Sequence, residues 1–200
     1  MKQFNDYDQA KKEAQASGGA KLPAGAYVCK VLGVKYENGK DGSSDQILLQ
    51  IDISEGEYKD FFQNQYKNST RDDKKYKGIA RVWIPTDDGS DKDAKTKKSF
   101  AGWTSSFEES NAGYSWDWDE TKWKGKTIGI VFGETGTRID GKDIIYTEAR
   151  FAVSVDKVRK GEAPTARFLE KNGYGSSCAP SQQSSWMSVP ETNVEELPFS

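Results

Sequence analysis

The chain has 200 residues, of which 34% are hydrophobic and 30% are charged, and this size suits one domain with tails or two small domains. Its 29 basic and 31 acidic residues give a net charge of −2, so nucleic-acid binding cannot be argued from total charge and would need a local basic patch. The chain contains no histidine, which excludes Ser-His and Cys-His nucleophile pairs and removes the commonest metal ligand.

The motifs predict a protein that is not an enzyme. Carboxylate-dependent chemistry, for example with magnesium, remains an alternative, but no compact acidic group follows a strand end in the manner of a two-metal site. The sequence also has neither a GxxxxGK[ST] loop nor a strand-coupled GxGxxG motif. We therefore expect no catalytic residues, no metal ligands and no cofactor.

The sequence favours a cytoplasmic location. No stretch approaches the roughly 18 apolar residues of a membrane span, and the N-terminal residues contain no apolar signal region. Cys29 lies in a strand-like run and Cys178 in a segment without periodicity, so we expect no disulfide and no membrane contact. Two unpaired cysteines fit a reducing compartment.

The first third of the chain is predicted to contain an extension and two strands. Residues 1–21 form the N-terminal extension, whose helix-prone part carries little apolar surface. The first strand covers residues 26–37, and Gly33 interrupts its alternation, which predicts the bulge or bend that a small closed barrel needs. The second strand covers residues 46–55 and alternates, with Ile47, Leu49, Ile51 and Ile53 on a buried face and Gln50, Asp52 and Ser54 on a wet face.

The middle of the chain is predicted to contain a third strand and a helix. Residues 56–77 fit either a short helix or an edge strand, and end in a charged loop. In the third strand, over residues 78–85, alternation places Ile79, Arg81 and Trp83 on the outer face. Residues 95–111 are predicted to be a helix, and the three aromatic residues at helical spacing are expected in the core: Phe100, Trp103 and Phe107.

Two further strands follow an aromatic loop. Trp116 and Trp118 are flanked by Asp117 and Asp119, whose charge disfavours phosphate, so we expect both indoles to pack or to contact protein. The fourth strand covers residues 127–133, and a hairpin turn at residues 138–142 leads to the fifth, over residues 144–158. In the fifth strand the inward positions are Ala149, Phe151, Val153 and Val155, and the outward positions are Tyr146, Glu148 and Arg150.

The order of three strands, one helix and two strands is typical of the OB-fold. The expected fold class is therefore all-β with one helix: an OB-fold five-stranded Greek-key barrel over residues 22–165, with the helix between strands 3 and 4. An α+β sandwich with the same element order is the alternative. Residues 166–190 are rich in Gly, Ser, Gln and Pro and predict a flexible linker. Residues 191–200 form an acidic tail that is too polar to fold alone.

The tail and three stretches of the body carry a resemblance to a known family. The tip reads Glu195-Glu196-Leu197-Pro198-Phe199, and the body contains Leu-Pro-Ala-Gly-Ala-Tyr (22–27), Glu-Glu-Ser-Asn-Ala-Gly-Tyr (108–114) and Trp-Lys-Gly-Lys (123–126). Together these resemble the single-stranded DNA-binding proteins encoded by phages of Gram-positive bacteria. The resemblance implies an OB-fold core that coats single-stranded DNA and a tail that docks replication and repair proteins. Ser200 departs from the family tail, which ends on Asp-Asp-(Ile/Leu)-Pro-Phe.

Single-strand binders combine a basic groove with aromatic faces that stack on bases. Arg81 and Trp83 supply both on the third strand, unless the segment 56–77 buries Trp83. Tyr146 and Arg150 offer a similar pair on the fifth strand, and packing within the protein is their alternative role. The predicted nucleic-acid-binding residues are Lys30, Lys35, Tyr36, Lys74, Lys75, Arg81, Trp83, Tyr146 and Arg150. For the lysines the alternative is an ordinary solvated charge.

Two non-enzymatic hypotheses follow. In the first, the protein coats single-stranded DNA without strong sequence preference during phage replication or recombination in the host cytoplasm. Its tail, Glu195 to Phe199, would be presented to replication or recombination proteins, and a homodimer or higher oligomer is left open. In the alternative, a β-barrel module binds carbohydrate or another protein through surface Trp and Tyr. Salt separates the two, because DNA binding weakens as salt rises.

Overall fold

The computed structural model describes residues 21–39, 43–70 and 72–175, which are mostly β-structure with a few helices. The N-terminal residues 1–20 and the predicted tail lie outside this part of the chain. The elements in order are β1 (Gly25–Glu37), β2 (Gln46–Ile53), α1 (Phe61–Asn68), β3 (Ile79–Trp83), α2 (Asp91–Ser110), a 3₁₀ turn (Glu120–Trp123), β4 (Thr127–Ile139), β5 (Lys142–Val153), α3 (Val155–Arg159) and β6 (Leu169–Lys171).

One mixed sheet of six strands forms the body of the molecule. Its strand order is β3-β2-β1-β4-β5 with antiparallel neighbours, and β6 pairs in parallel with β4 at residues 135–137. The edge strands β3 and β5 approach each other, so the sheet curls strongly. Helix α2 lies between β3 and β4 in the chain, where the sequence predicted a helix.

Strand β1 is the long central strand about which the sheet bends. Its first half pairs with β4 and its second half with β2, and the register shifts between Val31 and Gly33. The predicted irregularity at Gly33 is therefore confirmed. A Cβ atom at Gly33 would lie 3.1 Å from the Gln50 side-chain oxygen, so a larger residue there would require the end of that side chain to shift by a few tenths of an ångström.

The core is built from the alternating residues of the strands and from one face of α2. Burial of Ile47, Leu49, Ile51, Ile53, Ala80 and Val82 confirms the predicted inward positions of β2 and the first two of β3. Ile84, the third inward position predicted for β3, follows the end of the strand and is only partly buried. Trp103 and Phe107 join this core, and the Phe107 ring stacks on Trp123 with centroids 4.5 Å apart. Phe100, which was also expected in the core, is only partly buried, because it lies one turn nearer the start of α2.

The segment 56–77, left open between a helix and an edge strand, contains helix α1. Its N-terminus is capped by Asp52 of β2, whose carboxylate accepts hydrogen bonds from the backbone N–H groups of Phe62 and Gln63, both at 3.0 Å. Asp52 is 3% exposed, so its prediction as a wet-face residue was wrong. Burial raises the pKa of Asp52, and the backbone hydrogen bonds oppose that rise.

The prediction of a single helix was also wrong at the end of β5. The strand ends at Val153, and Val155 to Arg159 form α3 instead of continuing to residue 158. Val155 is buried as predicted, but on a helix. The backbone N–H of Val155 donates to the Ser110 side chain at 3.0 Å. A Cβ atom at Gly129 would lie 2.6 Å from the Val158 side chain, so this glycine lets α3 pack closely on β4.

Strands β4 and β5 form a hairpin that is longer than predicted on the β4 side. Their two-residue turn, Asp140 and Gly141, has positive φ angles of 49° and 74°, as a type I′ turn requires. Residues 166–175, which were predicted to begin the linker, include β6, and Tyr174 packs directly over Gly136. Within the residues that the structure describes, no helix combines the length and apolar character needed to span a bilayer.

Candidate nucleic-acid interface

The outer face of β3, β2 and β1 brings three of the predicted site residues into adjacent rows. In the first row, Arg81 of β3 pairs with Leu48 of β2, and Leu48 pairs with Lys35 of β1. The next row aligns Trp83 with Gln46 and Glu37. The Trp83 side chain is 46% exposed, so the alternative in which the segment 56–77 buries it is wrong. We call these two rows the outer face.

The charges on the outer face are only partly neutralised. Within the described residues Arg81 is exposed and has no ion pair, so its guanidinium is available to a ligand. Lys35 is exposed but its ammonium lies 2.7 Å from Glu37, which also accepts a 3.2 Å hydrogen bond from Gln46. A phosphate beside Arg81 would therefore meet the Arg81 guanidinium, which has no ion pair among the described residues, and the Lys35 ammonium, which can leave Glu37 to bind the phosphate.

Lys30 lies on the same face of β1 as Lys35, but on the other side of the register shift between Val31 and Gly33. It is exposed and pairs in register with Asp52 on one side and Thr127 on the other. It makes no ion pair within the described part of the chain, because Asp52 is occupied by the start of α1. Lys30 therefore extends the basic character of the outer face toward α1.

Lys74 and Lys75 lie in the loop between α1 and β3, beside a shallow cavity of about 460 Å³. The Lys74 ammonium is 5.1 Å from the centroid of the Tyr66 ring, a cation–π distance. Tyr66 is exposed, and neither lysine has an ion pair among the described residues. Tyr66 is a candidate stacking residue that was not predicted, although its place just before the basic segment Lys67 to Lys77 could have indicated it.

Tyr36 lies on the opposite face from its neighbour Lys35. It pairs in register with buried Ile47, and its hydroxyl donates to the Asp45 carboxylate. This hydrogen bond is the main cause that raises the pKa of Tyr36. The structure therefore does not bring Tyr36 together with Arg81 and Trp83, because adjacent residues of a strand point to opposite faces.

Arg150 is held inside the protein rather than offered to a ligand. Its side chain is 11% exposed and its guanidinium lies 2.8 Å from the Glu148 carboxylate. It also donates to the Glu134 carbonyl at 2.9 Å and to the Thr135 hydroxyl at 2.6 Å. The prediction that Arg150 points outward is thus corrected: the chain after α3 returns over β4, so that a Cβ atom at Gly133 would lie 2.7 Å from Ala166 and 3.0 Å from the Arg150 guanidine nitrogen.

Glu148 is the charge partner that keeps Arg150 in place. Its carboxylate accepts hydrogen bonds from Lys171 and from Thr135, both at 2.9 Å. Burial raises the pKa of Glu148, but these partners and the Arg150 charge outweigh it, so the net pKa lies below the ordinary value. Tyr146, two residues away, remains exposed on β5, at the other end of the strand order from Arg81.

A second aromatic surface lies at the end of the sheet, against α2. A cavity of about 710 Å³, here called the aromatic pocket, is lined by Tyr36, Ile47, Ile84, Phe100, Trp116 and Trp118. Trp116 and Trp118 were expected to pack or to contact protein and Phe100 was expected in the core, and their meeting with Tyr36 around one cavity was not predicted. The spacing of Phe100 and Trp118 in the chain gives no signal for this.

The comparisons with known proteins identify no family for this chain. No protein-family model matches it, and no curated protein sequence matches it significantly.

Proposed function

We propose that this protein binds single-stranded DNA without strong sequence preference, through the outer face of β1, β2 and β3. The observation that carries the proposal is that one strand presents both the exposed indole of Trp83 and the exposed guanidinium of Arg81, which has no ion pair among the described residues. A base can stack on the indole while the guanidinium contacts the neighbouring phosphate. Lys30, Tyr66 of α1 and the loop residues Lys74 and Lys75 would continue the track along the DNA backbone.

The strand order supports an OB-fold as the scaffold for this role. The order β3-β2-β1-β4-β5, the approach of β3 to β5 and the helix between β3 and β4 are the arrangement expected of that barrel. OB-folds bind oligonucleotides on strands 2 and 3 and on the nearby loops. Arg81 and Trp83 lie on the third strand, with Leu48 and Gln46 beside them on the second.

The rest of the proposal concerns the setting in which the protein works. We infer a non-enzymatic protein that acts during phage replication or recombination in the bacterial host cytoplasm. The tail Glu195-Glu196-Leu197-Pro198-Phe199 lies outside the described residues, and its sequence is the support for a role in docking replication or recombination proteins. A β-module that binds carbohydrate or protein is the second candidate, and the aromatic pocket is the observation in its favour.

A titration of tryptophan fluorescence with a 30-nucleotide oligo-dT, at 50 mM and then 300 mM salt, tests the proposed function. We expect saturable quenching that weakens as salt rises, because bound cations release counterions from the phosphates. The same titration with a neutral oligosaccharide should leave the fluorescence unchanged. Quenching by the sugar and none by the oligonucleotide at low salt would overturn the proposal in favour of the second candidate.

A further inference from the structure

The aromatic pocket has the size and lining of a binding site. Its volume of about 710 Å³ lies in the range of roughly 300–1,000 Å³ that is usual for ligand sites. Apolar and aromatic side chains form most of its wall: Ile84 directly follows β3, Phe100 belongs to α2, and Trp116 and Trp118 belong to the loop after α2. An aliphatic or aromatic side chain would be desolvated there on several sides.

Trp118 is held in an unusual position at the mouth of this pocket. Its side chain is 80% exposed, and its ring stacks on Phe100 with centroids 6.3 Å apart and planes 17° apart. Its φ angle is 65°, in the left-handed region that a bulky residue rarely adopts. The backbone conformation therefore costs free energy, and the loop nevertheless presents a large apolar surface to water. This combination points to a partner for the indole.

The charge around the pocket determines what kind of partner can bind. The carboxylates that line the pocket or flank its aromatic residues are Asp45, Asp87, Asp117, Asp119 and Glu120. Lys97, which lines the pocket, pairs with Asp87 and Asp93, and Lys122 pairs with Asp117 and Asp119. The remaining negative charge disfavours both a phosphate backbone and the chain's own acidic tail.

We propose that the aromatic pocket is a docking site for a peptide segment of another protein that carries both basic residues and an apolar side chain. An aliphatic or aromatic side chain of the peptide fills the pocket, and a neighbouring Arg or Lys lies over the face of Trp118 and against the rim carboxylates. A cation over an exposed indole is the geometry that cation–π attraction favours. The apolar contact supplies affinity, and the charge selects against acidic partners.

The pocket and the outer face are separated by the alternation of the strands. Ile84 lines the pocket whereas Trp83, next to it in the chain, belongs to the outer face; Tyr36 and Lys35 divide in the same way. A DNA strand on the outer face therefore leaves the pocket open. The peptide site stands on its own geometry and does not depend on the proposed DNA binding.

Three panels of fluorescein-labelled nonapeptides test the peptide site by fluorescence anisotropy. In the first panel Arg or Lys alternates with Leu, Ile or Phe; in the second Glu replaces every basic residue; in the third Ser replaces every apolar residue. We expect binding from the first panel and at least tenfold weaker binding from the other two. First-panel peptides that bind no better than their acidic counterparts would overturn the proposal.

Variants then locate the site. Trp118→Ala should weaken binding of the best peptide at least about tenfold, and Trp118→Phe should retain part of the affinity because an aromatic face remains. Glu120→Gln should weaken it a few-fold. Trp83→Ala, an exposed indole of the other face, is the matched control and should leave peptide affinity unchanged. Equal losses in Trp118→Ala and Trp83→Ala would contradict a site in the aromatic pocket.

Discussion

Arg81 and Arg150 look equivalent in the sequence and differ completely in the structure. Each lies at an outward position of an alternating strand, within four residues of an aromatic side chain. Arg81 is exposed and has no ion pair among the described residues, whereas Arg150 is 11% exposed and is held by Glu148, Glu134 and Thr135. The comparison shows that strand alternation assigns a side chain to a face but does not tell whether another segment has covered that face.

The largest expected effect is on the stability of the Arg150 side. Arg150→Ala removes an ion pair and two hydrogen bonds from a nearly buried site, and should lower the free energy of unfolding by about 2–3 kcal/mol. Urea unfolding followed by circular dichroism measures this loss. Arg81→Ala is the matched control and should change stability by less than about 0.5 kcal/mol, as surface substitutions usually do. Equal losses of stability in Arg150→Ala and Arg81→Ala would contradict the internal role of Arg150.

The next effect concerns DNA affinity on the Arg81 side. Trp83→Ala removes the proposed stacking face and should weaken binding to oligo-dT by roughly 1–3 kcal/mol, or about 5- to 150-fold. Fluorescence anisotropy with a labelled oligo-dT of 30 nucleotides gives the affinity, and the melting temperature should stay near the wild-type value because Trp83 is exposed. Trp118→Ala is the control and should bind DNA normally. A collapse in stability without a specific loss of affinity would place Trp83 in a structural role.

Removing the Arg81 side chain should weaken DNA binding less than removing Trp83, and its effect on salt dependence reports directly on a phosphate contact. Arg81→Ala should weaken DNA binding by about 1 kcal/mol and reduce the slope of log affinity against log salt by about 1, because one phosphate contact is lost. Affinities at four salt concentrations give the slope. Arg150→Lys, which keeps a cation beside Glu148 and away from the outer face, should keep the wild-type slope. An unchanged slope in Arg81→Ala would show that this guanidinium does not contact phosphate.

The smallest expected effect is on how the free energy of unfolding depends on pH, through Glu148 and its contacts with Arg150, Lys171 and Thr135. The folded-state pKa of Glu148 is lowered, so its contribution to stability is present above the ordinary pKa of 4.5 and is lost as pH falls through the folded value. Glu148→Gln should therefore be less stable than wild type at pH 7, with a difference that shrinks below about pH 4.5. Urea unfolding at pH 7 and pH 3.5 measures this. Glu170→Gln, an exposed change on β6, should follow the wild-type curve.

The parts of the fold that were predicted correctly depend on short-range pattern. The buried face of β2, the outer position of Trp83 and the irregularity at Gly33 all follow from the period of two in a strand and from one glycine. Helix α1 was left open because its cap, Asp52, comes from a strand ten residues earlier and only the fold brings it to Phe62. No local pattern reports such a contact.

For the candidate site, too, the contacts within the sheet were predictable and the contacts between distant segments were not. Arg81, Trp83 and Lys35 could be placed together because they need only strand pairing. The internal position of Arg150 depends on the return of residues 166–171 over β4, which were predicted to be linker. The aromatic pocket needs five separate segments to meet, so residue types and spacing indicated its aromatic members but not their assembly.

Ultraviolet cross-linking of the unmodified protein to oligo-dT, followed by mass spectrometry of the cross-linked peptides, tests the central claim most directly. It reports which aromatic residues contact thymine without any substitution. We expect cross-links in the tryptic peptide that begins at Val82 and contains Trp83, with further cross-links at Tyr66. Cross-links confined to the Trp116–Trp118 segment, with none on β3, would contradict the claim that the outer face of β1, β2 and β3 binds single-stranded DNA.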